Sequence, residues 1–306
     1  MIELKNLSVA FSSGAAVLDS MDLTVATGRK TVVIGESGSG KSVMLCAILH
    51  ILPPNAIVSG SVKLNGLELL SLNEKELRRL RGSQLAYIPQ GSSNSLNPLL
   101  TVGLQVAEPL TTLEKLPKKV ALARAVDWLR GLRFGDEEAL AGAYPHTLSG
   151  GMKQRVMIAM GTIAGAGVLL ADEPTKGLDS EKIDAVISLL KRLDDKTLLC
   201  VSHDLRFARE IADDISVMYS AQQVETCSRD EFFSNPLHPY SRLMLEAMPE
   251  NGLRAGEGYA PPTDEAPTGC RFYSRCPSAQ KKCHSPPPLV RLGARKVRCH
   301  IYADSC

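Results

Sequence analysis

Gly35-Glu36-Ser37-Gly38-Ser39-Gly40-Lys41-Ser42 matches the pattern G-x-x-x-x-G-K-[ST], and the residues on either side complete it. Before it runs Lys30-Thr31-Val32-Val33-Ile34, an apolar strand; after it Ser42-Val43-Met44-Leu45-Cys46-Ala47-Ile48-Leu49 opens a helix. Only in a strand–loop–helix setting does the pattern mean a phosphate-binding loop. Glycines let the backbone fold closely around phosphate oxygens, so that successive N–H groups and a helix N-terminus point at negative charge. Gly35, Gly38, Ser39 and Gly40 supply that cradle, Lys41 reaches the β- and γ-phosphates, and Ser42 ligates Mg²⁺. The bland alternative, a Gly/Ser-rich turn with a solvated lysine, does not account for the flanking strand and helix. A nucleoside triphosphate site is expected.

The chain has 306 residues, enough for one large domain with an appendage. With 44% hydrophobic and 22% charged residues it reads as globular rather than disordered. A net charge of +2 gives no electrostatic case for nucleic-acid binding. The start, Met1-Ile2-Glu3-Leu4-Lys5, carries no export signal. The longest uncharged run, Val156 to Ala171, is broken by Gly161, Gly165 and Gly167 and is too short to span a bilayer. It reads as a buried helix end, a turn and a core strand. Membrane association is therefore expected only through partners.

Alternating apolar positions mark strands over Ile2 to Val9 and Val17 to Val25, ahead of the loop strand. Pro53-Pro54 ends the helix after the loop, and Val62 to Gly66 reads as a strand closing in an Asn-Gly turn. Asn73 and Glu76 are spaced as a capping box. After Tyr87-Ile88-Pro89-Gln90 the residues from 98 to 147 read as helices, with Val120 to Leu132 at helical spacing. Val168 to Ala171 and Thr197 to Val201 are continuous apolar runs of the kind buried in a parallel sheet, separated by helical spacing from Ile183 to Leu193. Alternating strands and helices predict an α/β fold with its ligand at the carboxyl ends of the strands.

Two adjacent carboxylates, Asp172 and Glu173, end one of those buried runs. A strand tip beside a phosphate loop is where Mg²⁺ needs an oxygen ligand, which suits Asp172, while Glu173 is placed to act on an attacking water. The competing reading is an acidic pair at a helix start before Pro174. His203 ends another run; a lone histidine there is usually just a satisfied polar group, but a third strand tip at one phosphate site favours a γ-phosphate contact. Leu148-Ser149-Gly150-Gly151 opens a helix and, alone, is equally an anion-binding start or a capped turn.

The phosphate loop, Gln90, Leu148-Ser149-Gly150-Gly151, Asp172-Glu173, Asp179 and His203 occur in one order and spacing, and in this the chain closely resembles the ATP-binding-cassette ATPases. The resemblance covers residues 1 to about 235. It implies a P-loop NTPase fold with a RecA-like core, an antiparallel β-subdomain and a helical subdomain over about 91–160. It also implies ATP and Mg²⁺ as ligands, with Ser42, Gln90 and Asp172 around the metal and Glu173 and His203 catalytic. Phe11 falls where that family stacks an aromatic ring on adenine, although it also suits an apolar strand. Ser149, Gly150 and Gly151 would complete the γ-phosphate site of an opposing subunit, and Asp179 would lie at the dimer seam. Gly91 after Gln90, and Gly177 before Leu178-Asp179, depart from the common pattern without removing a catalytic group.

Beyond Asn235 prolines and glycines become frequent, and Cys270, Cys276, Cys283 and Cys299 fall together. These residues form a small Cys-rich extension over 236–306. Asn235-Pro236-Leu237-His238-Pro239-Tyr240 and Gly269-Cys270-Arg271-Phe272-Tyr273-Ser274-Arg275-Cys276-Pro277 resemble the tail of the oligopeptide/dipeptide/nickel importer ATPases. A disulfide pair, a zinc site, an iron–sulfur site and unligated thiols all remain open. The missing export signal disfavours disulfides, and the missing Cys-x-x-Cys pairs disfavour zinc. Resemblance to members with a [4Fe–4S] cluster favours ligation by Cys270, Cys276, Cys283 and Cys299. Cys46, Cys200 and Cys227 read as packing residues.

The resemblance thus implies an ATPase subunit on the cytoplasmic face of the cell membrane that powers uptake of peptides, nickel or metal chelates. Its implied partners are a second, distinct ATPase subunit, two membrane permeases and an extracytoplasmic binding protein, with no nucleic acid. A DNA-repair cassette ATPase is the rival from another class, but no long coiled coil or zinc module separates the phosphate loop from Ser149, and the charge is balanced. A redox-sensing regulator using the tail is a third reading.

Overall fold

The computed structural model describes residues 1–11, 14, 16–91, 95–252, 258–261 and 268–303. Two compact units divide the chain, one of residues 1–71 with 201–306 and one of residues 72–200.

The first unit opens with β1 (Ile2–Ala10), β2 (Ala16–Val25) and β3 (Lys30–Gly35), then α1 (Lys41–Ile48), β4 (Ile57–Leu64) and β5 (Leu67–Glu68). β1 lies between β2 and β4, antiparallel to both, with Ile2 opposite Val25 on one side and Leu64 on the other. Ile2 and Leu4, then Leu7 and Val9, are buried, two runs of the period-2 pattern offset by one residue at the register shift between Leu4 and Leu7. The Asn-Gly turn between β4 and β5 forms with positive φ at Asn65 (51°) and Gly66 (87°), the conformation such hairpins require.

The second unit holds α2 (Glu74–Leu80), β6 (Leu85–Ile88), α3 (Val102–Thr112), α4 (Lys118–Gly131), α5 (Glu137–Gly142), α6 (Gly150–Thr162), β7 (Val168–Asp172), α7 (Ser180–Lys191) and most of β8 (Thr197–Ser202). The capping box on α2 is complete: Glu76 N–H donates to Asn73 Oδ1 at 3.1 Å and Asn73 N–H to Glu76 Oε2 at 2.9 Å. β6 and β7 run parallel, and every residue of β7 is buried. Ala121, Ala125 and Leu129 recur every four residues along the buried face of α4. Trp128 Nε1 donates to Thr162 Oγ1 at 3.2 Å, tying that helix to α6.

The chain returns to the first unit with α8 (Leu205–Ile211), β9 (Asp214–Tyr219), β10 (Gln222–Ser228), α9 (Arg229–Ser234), α10 (Pro239–Glu246), β11 (Leu289–Leu292) and β12 (Arg295–Arg298). β3 runs parallel to β9, setting Gly35 opposite Met218. The tail is built into this unit by strand pairing: β12 lies antiparallel to β10, with Val297 opposite Glu225, and β11 closes a hairpin on it. Arg271 reinforces the attachment, reaching Asp19 Oδ2 at 2.5 Å and the Ser220 carbonyl.

Candidate functional site

The phosphate loop joins β3 to α1 as its sequence requires. Gly40 is the N-cap of α1 in a left-handed conformation (φ 95°), and a Cβ there would stand 2.2 Å from the Val17 carbonyl oxygen. Only glycine fits both conditions. The N-cap makes no side-chain hydrogen bond and the first turn of α1 carries no acidic residue, as suits a helix start that receives phosphate. Lys41 is 5% exposed and folds back over the loop, donating to the carbonyls of Gly35 and Glu36 at 2.8 Å each. Ser39 is buried, with its Oγ 3.5 Å from the ammonium, and Ser42 is half-buried one residue into the helix. His203 follows β8 and is exposed; with Gly35 and Glu36 it lines a cavity of about 890 Å³ bounded by α8 and α10. Phe11 sits half-buried at the end of β1, its carbonyl accepting the Gly14 N–H at 2.8 Å.

In the second unit β7 delivers the carboxylate pair. Asp172 is 3% exposed and accepts a hydrogen bond from Tyr87 Oη at 3.3 Å. Glu173 is 8% exposed and holds φ at +48°, a conformation that a non-glycine residue adopts at a cost of about 1–3 kcal/mol. Burial, and then the charges of Glu173 and Asp172, keep the neighbouring Cys200 a neutral thiol. Gln90 stands exposed two residues past β6. Ser149 caps α6, its Oγ accepting the Met152 N–H at 3.3 Å, and both Ser149 and Gly150 are exposed. Gly151 is buried, and a Cβ there would come within 3.0 Å of three side-chain carbons of Lys182 on α7. Asp179 caps α7 by accepting the Lys182 N–H at 3.1 Å, and its pairing with the Lys182 ammonium holds its carboxyl below the usual range.

The expected site residues are divided between the units: the loop with Ser42 and His203 in one, and Asp172, Glu173, Gln90 and the Ser149-Gly150-Gly151 corner in the other. Sequence reading missed Tyr87, whose partnership with Asp172 follows from the parallel register that sets Tyr87 opposite Leu170.

In the tail, Cys270 and Cys276 are half-buried and Cys283 and Cys299 buried, none in a disulfide. Burial first, then the proximity of Cys283, Cys276 and Cys299, pushes the Cys270 thiol up to about 11. Burial first, and then the nearness of other tail thiols, also raises Cys276 (beside Cys299 and Cys283) and Cys299 (beside Cys283). Among the described residues, no three His, Cys, Asp or Glu side chains stand close enough to hold a single metal ion.

A family model described as ABC transporter matches residues 18–176, more than half of the chain. The chain belongs to the ABC transporter family. A second model, for the C-terminal region of oligopeptide/dipeptide transporters, matches residues 224–283. Oligopeptide transport ATP-binding protein AppD of Bacillus subtilis is 37% identical, over 99% of this chain and 97% of its own length. Dipeptide transport ATP-binding protein DppD of Haemophilus influenzae is 38% identical over 98% and 95%, and that of Escherichia coli 36% over 99% and 97%. Among solved structures, the dimeric bacterial ABC transporter cassette MJ0796 superposes with a TM-score of 0.67 at 29% identity, covering 75% of this chain and 99% of that one. The protein is an ABC-type ATPase with a cassette fold and an importer-type tail. Among the described residues, no helix is long and apolar enough to cross a membrane.

Proposed function

We propose that this ATPase powers the import of di- and oligopeptides from the cytoplasmic face of the cell membrane, as a peripheral subunit beneath two permeases served by an external binding protein. The match of residues 224–283 to the tail of oligopeptide/dipeptide transporters carries this reading, because other parts of a cassette are common to ATPases with many cargoes. The names of its relatives favour peptides over nickel or chelates.

Lys41 and Ser42 hold MgATP with Gln90 and Asp172, Phe11 stacks on the base, and His203 contacts the γ-phosphate. Glu173 orients or deprotonates the attacking water. Ser149 and Gly150 are exposed at the start of α6, as corners offered to a second subunit need to be, and with Gly151 they close the partner's nucleotide site. Asp179 takes the seam. A distinct second ATPase is the partner, forming a heterodimer that ATP draws closed because it binds that state more tightly.

Cys270, Cys276, Cys283 and Cys299 are proposed to hold a [4Fe–4S] cluster. Cys270 lies within electrostatic reach of the other three thiols, and together they would supply the four thiolates that such a cluster takes. Bound, it would supply a rigid cross-link between tail segments. Anaerobic purification with iron analysis and visible absorbance tests this; an iron-free, colourless protein removes the cluster.

Reconstitution with the two permeases and the second ATPase in liposomes tests the main reading. Peptide-loaded binding protein should raise ATP hydrolysis and drive labelled peptide inward. Stimulation by a nickel chelate and not by peptide would overturn it.

A further inference from the structure

Two tail residues grip the phosphate loop. Glu36, the second residue of the loop, donates its backbone N–H to Tyr240 Oη at 3.2 Å. Its carboxylate takes both short contacts from one nitrogen of Arg275, at 2.9 Å to Oε1 and 3.2 Å to Oε2. Arg275 and Tyr240 lie 239 and 204 residues further along the chain. Neither is a casual surface contact. The Arg275 side chain is 9% exposed, Tyr240 is 1% exposed, and the guanidinium also donates to Tyr219 Oη at 3.3 Å. Tyr219, Tyr240 and Phe272 pack as one aromatic cluster, with ring centroids 4.6–5.5 Å apart, and Arg275 lies over the faces of Tyr219 and Phe272. Phe272 and Arg275 both belong to the segment between Cys270 and Cys276.

We propose that Arg275 and Tyr240 are positioning residues of the ATP site, holding the first turn of the phosphate loop in its binding conformation. A loop that cradles phosphate through backbone N–H groups gains affinity when those groups are ordered beforehand, because ligand binding then need not order them. Glu36 is the handle, held by its side chain from one direction and its main chain from another. Arg275, Tyr240, Glu36 and His203 line the same cavity, which places the clamp on the wall beside the γ-phosphate histidine. Only nucleotide affinity is at stake; the transported cargo plays no part.

Calorimetry with MgADP on the full chain reads the effect without turnover. Arg275→Ala and Glu36→Ala should each raise Kd about fivefold, a charged hydrogen bond discounted because the Glu36 side chain is 39% exposed to screening solvent. The double variant should be no weaker than either single one, since both remove the same contact. Tyr240→Phe should raise Kd about threefold, and Arg275→Lys should recover part of the loss. In steady-state hydrolysis KM for ATP should rise in parallel while kcat stays within about twofold, a split that a general loss of fold would not produce. Unchanged or tighter MgADP binding in Glu36→Ala and Tyr240→Phe, multiplying effects in the double variant, or a fall in kcat at constant KM would each overturn the assignment. Should Arg275→Ala fail to fold, Glu36→Ala and Tyr240→Phe decide alone.

Discussion

Arg295 Nη2 donates to Glu225 Oε1 at 3.0 Å, and that carboxylate is wholly shielded from solvent. Glu225 also accepts the N–H groups of Leu237 and His238, each at 2.8 Å. One buried charge therefore holds together β10, the chain entering α10, and β12. Removing either partner leaves the other without its counter-charge in a shielded site, which typically costs about 3–5 kcal/mol. Glu225→Ala and Arg295→Ala should each lower the unfolding free energy by about that amount in urea titration. A loss under about 1 kcal/mol in both would mean the network is not structural.

Gly40 and Gly38 share a positive φ (95° and 79°) but differ in their surroundings. A Cβ at Gly40 meets the Val17 carbonyl at 2.2 Å, whereas one at Gly38 meets nothing within 4 Å. Gly40→Ala should therefore abolish measurable MgADP binding and lower stability by several kcal/mol, since backbone has to move. Gly38→Ala carries conformational strain alone, of order 1 kcal/mol, and should stay folded. Equal melting temperatures for the two variants would contradict this ranking.

What the sequence disclosed was local. The strand, glycine loop and helix around Lys41, the Asn73–Glu76 capping box and the buried run ending at Asp172 and Glu173 each depend on residues within a few positions, so pattern suffices. The tail's role was hidden for the converse reason. Glu225 looks like an ordinary solvent-facing residue of a strand, and only the pairing of β12 over β10 makes it a buried anchor. The grip of Arg275 on Glu36 spans 239 residues, and no spacing rule reaches so far. The left-handed backbone of Glu173 was equally unreadable, because glutamate has no preference for it.

His238 is 1% exposed, and its Nδ1 accepts the Tyr240 N–H at 3.0 Å, which requires a neutral ring. Burial first, and then the Arg242 charge, lower it to about 3, against a small opposing pull from a backbone bond at Arg298. In the unfolded chain it titrates near 6.5. Between those values the unfolded state binds the extra proton, so this contribution is whole above about pH 6.5 and falls by about 1.4 kcal/mol per pH unit below it. His238→Asn keeps a helix-capping side chain without the titration. From pH 7.5 to 5.0 the wild type should lose about 2 kcal/mol more than this variant in urea titration. Parallel losses would show that the ring is charged in the folded state.

Glu173→Gln should keep nucleotide affinity within a few-fold while cutting turnover by at least about a hundredfold, the scale of a general base. The amide preserves the size of the side chain and its place at the end of β7, so the strained backbone at φ +48° has no reason to relax. What disappears is the carboxylate proposed to take a proton from water. Because ATP would then persist, the proposed closed dimer should accumulate with MgATP on size-exclusion chromatography, where the wild type reverts to smaller species as it hydrolyses. Lys41→Ala should do the opposite, weakening binding itself, since the ammonium held over Gly35 and Glu36 has no substitute. Wild-type turnover in Glu173→Gln would move the water-activating role to another residue, with His203 the next to be replaced.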